Sequence, residues 1–131
     1  MTGNLSRPWL DIATEDLVVA RLVASEEHFA HACFLAQQCI EKSLKAYLVA
    51  QTGNYPRVHK LVDLLGQCRL LAPDFAQFVT ACTSVDQYYI PTRYPEGLPG
   101  GLPSGPPSRR QAEAAIAWAQ EILDYVNAQL P

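Results

Sequence analysis

Five polar side chains, here called the polar stripe, recur at helical spacing in the segment FLAQQCIEKSLKAYLV, residues 34–49. Gln37, Glu41 and Lys45 are four residues apart, and Gln38 and Lys42 repeat that interval. Amide, carboxylate and ammonium groups on one side of a helix are suited to bind a phosphate or the edges of a base. The same interval also favours Glu–Lys pairs that stabilise a helix by roughly 0.3–0.5 kcal/mol. Both interpretations follow from the sequence.

The helix that carries the polar stripe is apolar around most of its circumference. A helix of this kind must be buried in a bundle. We therefore expect the polar stripe on its one remaining open side, facing solvent, a groove or a partner. The apolar residues form two faces, one of Cys33, Ala36, Ile40, Leu44 and Tyr47 and the other of Leu35, Cys39, Ala46 and Ala50.

A second group of chemically capable residues lies in the segment YYIPTRYP, residues 88–95. Tyr89 and Tyr94 flank Arg93, and aromatic rings beside a guanidinium group can stack on bases and bind phosphate at two points. The structural alternative is that the tyrosines pack against the bundle while Arg93 pairs with a carboxylate. His59, which begins a predicted helix, is suited to acid–base chemistry near neutral pH or to a local hydrogen bond.

Other site chemistries lack support in the sequence. His28, His31 and Cys33 do not have the spacing of a zinc site, and no second ligand pair occurs. The glycines of residues 97–105 lack the strand–turn–helix context of a phosphate-binding loop. We therefore expect no metal and no cofactor, and we assign no catalytic residue.

Composition limits the class of protein. The chain has 131 residues, 49% of them apolar and 18% charged, which predicts one globular domain over residues 1–131. A net charge of −3 argues against a basic nucleic-acid-binding surface over the whole protein. The start, MTGNLSRPW, lacks the apolar region of a signal peptide, and no apolar run is long enough to span a bilayer. The four cysteines form no CxxC pair, so we expect them to be reduced and the protein to be cytoplasmic.

Helix signals predict an all-α fold, an antiparallel up-and-down bundle of four long helices plus one short helix. Ser6 is predicted to be an N-cap, with Pro8 in the first turn. Gly53 and Pro56 end the central helix, and Ser108 caps the last one. The predicted helices cover about residues 9–24, 27–51, 59–68, 73–88 and 109–128. Between the last two, eight of the twelve residues in 96–107 (EGLPGGLPSGPP) are Gly or Pro, so we expect a mobile loop there.

Three segments resemble the HEPN domain family (higher eukaryotes and prokaryotes nucleotide-binding). They are WLDIATEDLVVA at residues 9–20, the QQ-x-x-EK-x-LKA pattern at residues 37–46, and His59-Lys60-Leu61 together with Arg-Tyr-Pro at residues 93–95. The resemblance implies a small helical bundle, often dimeric. It also implies a gene encoded beside a minimal nucleotidyltransferase, in a toxin–antitoxin-like pair.

A homodimer is also expected from the residues themselves. The first and last predicted helices carry apolar residues beyond one buried face, namely Val18, Val19, Val23, Trp118 and Tyr125. Large contiguous apolar patches are seldom left exposed on a monomer, and twofold dimers are the commonest oligomers.

Some members of the HEPN family are metal-independent ribonucleases that use an Arg and a following His separated by four to six residues in the later helices. No His follows Arg93, Arg109 or Arg110 in this chain. Arg21 and His28 have the formal spacing but flank the first inter-helix turn. We therefore expect a binding or regulatory module, with a ribonuclease toxin and a ligand-free scaffold as alternatives. Nucleotide or RNA would bind through Gln38, Glu41, Lys42, Lys45, His59, Tyr89, Arg93 and Tyr94.

Overall fold

The computed structural model describes residues 2–89 and 105–131, with side chains from residue 5 onward. Its helices are α1 (Thr2–Ser25), α2 (Phe29–Thr52), α3 (Leu61–Leu71), a 3-10 helix (Pro73–Phe78), α4 (Val79–Asp86) and α5 (Arg109–Gln129). No strand occurs in these two ranges. The predicted all-α bundle is confirmed.

A three-residue turn folds α1 back onto α2, and these two helices share the most extensive contact in the bundle. The backbone N–H of Glu27 donates to Ala24 at 2.9 Å, and that of His28 donates to Val23 at 2.9 Å. These bonds satisfy carbonyls at the end of α1 that have no partner within the helix. The break predicted between the first two helices is therefore confirmed.

The last helix, α5, runs in the same direction as α2. At its start the guanidinium of Arg109 lies 4.9 Å from the Phe29 ring centroid, near the beginning of α2. Toward its end the Tyr125 ring lies 5.1 Å from Phe75, which lies 4.7 Å from Tyr47, near the end of α2. α5 thereby closes the core against both α1 and α2.

Two helix ends and one buried helix face follow the sequence signals closely. The Ser108 hydroxyl accepts from the Gln111 backbone, and the Gln111 side chain accepts from the Ser108 backbone, which makes a capping box. Gly53 ends α2 in the left-handed conformation, with φ 78°. The apolar residues at helical spacing in α5 are all buried: Ala112, Ala115, Ile116, Ala119, Ile122, Leu123 and Val126.

The structure also shows the state of the four cysteines and the hydropathy of the helices, two features considered from the sequence. All four cysteines are unpaired and buried, as predicted. Burial raises the pKa of the Cys68 and Cys82 thiols to about 12, so these groups are unreactive core side chains. No helix in the described part of the chain combines the length and hydropathy needed to cross a membrane.

The predicted start of the first helix was wrong, and the fourth predicted helix begins at Pro73 as expected but in 3-10 form. Ser6 is not an N-cap, because α1 begins at Thr2 and Ser6 is buried within it. Pro8 therefore lies inside α1, where it removes one backbone hydrogen bond without ending the helix. The segment after Pro73 begins as a 3-10 helix. With three residues per turn, a 3-10 helix places Phe75 and Phe78 on the same side, and both are buried in the core.

Asp86, at the end of α4, satisfies the N-terminus of α3. Its carboxylate accepts from the backbone N–H groups of Leu61 at 2.6 Å and Val62 at 3.1 Å. The residue at the N-cap position, Lys60, makes no side-chain cap hydrogen bond. Burial raises the pKa of Asp86, although the two backbone donors oppose that rise. Asp86 thus fixes the connection before α3 to the end of α4.

We expect Asp86→Ala to lower the free energy of unfolding by about 1–2 kcal/mol, because it removes a helix cap and leaves two donors unsatisfied. Urea denaturation measures the change. Asp11→Ala is the matched control, since Asp11 is exposed on α1 and makes no bond to a described residue. Equal effects of the two substitutions would contradict the capping role.

Candidate functional site

A cavity of about 450 Å³ lies between α1, α2, the α2–α3 connection and the end of α4. We call it the stripe cavity, because four residues of the polar stripe line it. A groove of the same volume, bordered by Leu48, Leu70 and Leu71, has no charged lining residue. Of these two, only the stripe cavity has charged lining residues; it is lined by Trp9, Phe34, Gln38, Glu41, Lys42, Lys45, Tyr55, Arg57, His59 and Tyr89.

The Glu41 carboxylate, only 2% exposed, is at the centre of a hydrogen-bond network at the base of the cavity. Its Oε2 atom lies 2.9 Å from Lys45 Nζ and 2.9 Å from His59 Nδ1. Its Oε1 atom accepts longer bonds from Gln37 Nε2 at 3.5 Å and Gln38 Nε2 at 3.4 Å. Glu41 is the only carboxylate among the described residues that line the cavity, and both of its oxygens are already occupied.

The two glutamines extend this network along α2 and across to the next segment. Gln38 Nε2 donates to Gln37 Oε1 at 2.6 Å, and Lys42 Nζ donates to Gln38 Oε1 at 2.9 Å. Gln37 Nε2 also donates to the backbone carbonyl of His59 at 3.2 Å. The polar stripe is thus a connected network that holds the α2–α3 connection against α2.

The expectation that the polar stripe faces solvent, a groove or a partner holds for the four members that line the stripe cavity, but not for Gln37, which does not line it. Gln37, Glu41 and Lys45 are buried, with 0%, 2% and 4% of their surface exposed. Trp9 and Tyr55 form one wall beside them, with ring centroids 4.6 Å apart in an edge-to-face arrangement. Lys45 Nζ lies 5.8 Å from the Trp9 centroid and 5.4 Å from the Tyr55 centroid, within cation–π range.

Glu41 is ionised at neutral pH in spite of its burial. Burial alone would raise the pKa of this carboxyl. Hydrogen bonds from Lys45 and His59, together with the charges of Lys45 and Lys42, outweigh burial and hold the pKa of Glu41 below its ordinary value. A charged carboxylate at this position therefore determines which protons its neighbours carry.

His59 is the most exposed member of the network, with 55% of its side chain open. Its ring stacks on Tyr89 with centroids 5.3 Å apart and planes 10° apart, and Tyr89 in turn stacks with Phe34 at 6.4 Å. Because an ionised carboxylate can only accept, the Nδ1 atom of His59 carries the proton shared with Glu41. Nε2 is then the free edge of the ring, an acceptor when the imidazole is neutral and a donor when it is protonated.

The polar groups left free around the cavity are mostly donors. The Trp9 indole N–H, the Tyr55 and Tyr89 hydroxyls and the Arg57 guanidinium bond to no side chain or backbone group in the ranges 2–89 and 105–131. Lys42 uses one of its three N–H donors, on Gln38. Free donors and cations around aromatic walls favour an anionic ligand that carries a planar ring.

The structure brings together six of the eight residues that the sequence predicted for a site. Gln38, Glu41, Lys42, Lys45, His59 and Tyr89 all line the stripe cavity. The other two, Arg93 and Tyr94, lie outside the described residues, as do residues 96–104 of the loop predicted to be mobile.

Sequence reasoning missed four lining residues, Trp9, Phe34, Tyr55 and Arg57. Arg57 and His59, two residues apart in sequence, both line the stripe cavity. Tyr55, Arg57 and His59 alternate in a segment that is not helical, and alternate residues of an extended chain lie on the same side. This period of two was a usable signal in the sequence.

The other residue groups considered from the sequence, Arg21 with His28 and His28 with His31 and Cys33, do not line the stripe cavity. Arg21 donates to Gln120 Oε1 at 2.7 Å, across the α1–α5 contact. The rings of His28 and His31 are 6.3 Å apart. Among the residues that the structure describes, no three His, Cys, Asp or Glu side chains are grouped closely enough to hold a metal ion.

These observations define a class of protein: a small α-helical bundle with a buried Glu–Lys–His network beneath an aromatic, donor-lined cavity. The family model of the HEPN domain matches residues 6–129, so the chain belongs to the HEPN domain family. In the crystal structure of ST0689, an archaeal HEPN homologue, 32% of residues are identical and the TM-score is 0.76, over 96% of this chain and 98% of that one. The crystal structure of TT1696 from Thermus thermophilus is 36% identical with a TM-score of 0.79, over 95% of this chain and 98% of that one. No curated protein matches the chain.

The lowered pKa of Glu41 predicts how its contribution to stability depends on pH. Ionised Glu41 stabilises the fold fully above its unfolded pKa of about 4.3. That contribution is lost as the pH falls through the lower pKa of the folded state. At neutral pH we expect Glu41→Gln to cost about 3 kcal/mol, because it leaves Lys45 buried without its carboxylate.

Urea denaturation measures the free energy of unfolding of two proteins, His59→Asn and His59→Asn combined with Glu41→Gln. The His59→Asn background is used because it removes the imidazole that bonds to Glu41. We expect the stability difference to be constant from about pH 7 to 5 and to shrink only below about pH 4. A difference that disappears well above that range would show that Glu41 is not held ionised.

Proposed function

We propose that this HEPN domain is a binding and regulatory module whose stripe cavity binds nucleotide or RNA. The observation that carries the proposal is the set of free donors above a carboxylate whose oxygens are already occupied. Aromatic faces that stack on bases, combined with cations that contact phosphate, are the usual means of binding nucleotides without a metal.

Local charge supports an anionic ligand despite the acidic chain. The cavity lining includes Lys42, Lys45 and Arg57 against the single carboxylate of Glu41. The lining residues therefore carry two positive charges in excess when His59 is neutral, and the nearby Asp16 carboxylate, which interacts electrostatically with Lys42, reduces that excess. Charge concentrated at a concave site attracts a ligand of opposite sign, even when the net charge of the protein is −3.

Arg57→Ala and Lys42→Ala are expected to weaken binding of adenosine 5′-monophosphate or a short RNA, measured by calorimetric titration. Each removes one charge-assisted phosphate contact, worth about 1.5–3 kcal/mol or roughly ten- to hundred-fold in affinity. Arg69→Ala is the matched control, because Arg69 is exposed on α3 and does not line the cavity. A loss no greater than that of Arg69→Ala would remove support for the site.

Two further cations need separate treatment in this experiment. Arg93 remains part of the proposed site, so Arg93→Ala belongs to the same series and is expected to weaken binding. Lys45 is a poor probe of direct contact. It is 4% exposed and bound to Glu41, so Lys45→Ala is expected to perturb the network as well as the ligand.

One observation favours a second function, the metal-independent ribonuclease. Glu41 and His59 form a carboxylate–imidazole pair, an arrangement that orients a histidine for general acid–base chemistry. Under the binding proposal, RNA incubated with the purified protein in the presence of a chelator stays intact. If the wild-type protein cleaves the RNA and the His59→Ala variant does not, the function of this cavity is catalysis and not binding alone.

A homodimer is the second part of the proposal, and the outer side of α1 is its most suitable surface. Leu5, Ile12, Val18 and Leu22 are each about half or more exposed there, at 54%, 49%, 55% and 61%. Tyr125, by contrast, packs against Phe75 and Phe78 in the core. Two α1 helices related by a twofold axis would cover this apolar side on both copies.

We expect Leu22→Lys to shift the protein from dimer to monomer in sedimentation experiments at micromolar concentration, because it places a charge in an apolar contact. Leu70→Lys is the matched control, since Leu70 is 86% exposed on α3, away from the proposed interface. A monomeric wild-type protein, or a dimer unaffected by Leu22→Lys, would contradict the proposed interface.

The third part of the proposal is a minimal nucleotidyltransferase as partner, and its support is the family resemblance. A neighbouring reading frame with a Gly-Ser…Asp-x-Asp pattern would supply the protein to test. Co-expression followed by gel filtration should give one joint peak. Separate elution would leave the domain without this partner, and failure to bind any nucleotide as well would favour the ligand-free scaffold.

A further inference from the structure

We infer that the stripe cavity selects a phosphomonoester over a phosphodiester. The inference rests on the proposed function and adds the chemical class of the ligand. Its origin is the protonation of His59, which Glu41 controls, together with the number of cations that remain free in the lining.

The first step concerns the Nε2 atom of His59. Glu41 accepts the proton on Nδ1, at an Nδ1–Oε2 distance of 2.9 Å. This bond leaves Nε2 as the ring nitrogen open to a ligand, and whenever the ring is neutral Nε2 presents a lone pair that repels a fully ionised phosphate oxygen. Favourable contact with phosphate requires one shared proton between Nε2 and the oxygen.

The second step concerns which phosphates have such a proton. A phosphomonoester has a second ionisation near pH 6, so close to neutrality it readily holds one proton. That proton bridges the phosphate oxygen and Nε2, either as P–OH donating to imidazole or as imidazolium donating to the dianion. An internal phosphodiester is fully ionised at this pH, so its contact with Nε2 depends on the imidazole alone for the proton, whereas a monoester can supply the proton itself.

The cations open to a ligand favour a phosphate with two negative charges over one with a single charge. Lys45 and Glu41 form a buried pair 2.9 Å apart, which leaves the half-buried Lys42 and the exposed Arg57 as the cations open to a ligand. These two cations, with Arg93 proposed beside them, are enough to pair with both negative charges of a phosphomonoester. A phosphodiester has one negative charge, so it would leave one of the two cations without a partner.

The experiment compares ligands that differ only in the phosphate, namely adenosine 5′-monophosphate, adenosine 3′,5′-cyclic monophosphate and adenosine, with the uridine series in parallel. We expect the wild-type protein to bind the monoester at least about ten-fold more tightly than the cyclic diester. In His59→Asn the ratio should fall to about three-fold or less. In the matched control His31→Asn, an exposed histidine outside the cavity, it should be unchanged.

The outcomes separate the inference from the proposal on which it rests. Equal binding of monoester and cyclic diester by the wild-type protein would overturn the inference and leave nucleotide binding intact. No binding of any of these ligands would overturn both. Circular dichroism of His59→Asn establishes that it is folded, and a preference for the monoester that persists in this folded variant would overturn the role given to His59.

A phosphomonoester occurs both in a free nucleotide and at the end of an RNA chain. RNA tetranucleotides with a 5′-phosphate and with a 5′-hydroxyl distinguish the two sources. Tighter binding of the phosphorylated chain supports an RNA end as ligand, whereas binding of mononucleotides alone supports a free nucleotide. Equal binding of the two tetranucleotides would count against selection of a monoester.

Discussion

The buried carboxylate of Glu41 is the interaction on which the site depends. An ionised group taken out of water is tolerated only when its lone pairs are occupied and its charge is paired. Lys45 supplies the charge, His59 and the two glutamines supply further donors, and each of these partners is thereby held in one place. The identity of the residue at position 41 thus determines where the surrounding polar groups lie and which of them are free to bind a ligand.

The second consequence is the path of the chain between α2 and α3. Gln37 binds the His59 carbonyl from α2, and Asp86 binds the two residues that open α3 from the far end of α4. The connection is fixed from both sides, so its alternate side chains Tyr55, Arg57 and His59 all border the cavity. Tyr89, three residues beyond Asp86, stacks on the imidazole. The same bonds that close the bundle therefore also shape the cavity.

Much of this fold could be predicted from local signals, because those signals act over a few residues. The Ser108 capping box, the Gly53 helix end and the buried face of α5 are all of this kind. The Ser–Pro pattern at residues 6–8 misled, since it marks a helix start only when nothing upstream is helical. The burial of Glu41 was not predictable from α2 alone, because Trp9 and Tyr55, which cover it, are 32 residues before it and 14 residues after it in sequence. Asp86 was missed for the same reason, as it caps a helix that begins 25 residues earlier.

Nitrogen-15 NMR of the His59 side chain tests the central claim most directly, because it reports which ring nitrogen carries the proton. The account predicts that Nδ1 carries the proton whenever the imidazole is neutral. It further predicts that Glu41→Gln abolishes this preference, because an amide oxygen is a weaker acceptor than an ionised carboxylate. A neutral ring protonated on Nε2 in the wild-type protein would contradict the claim that Glu41 organises the site.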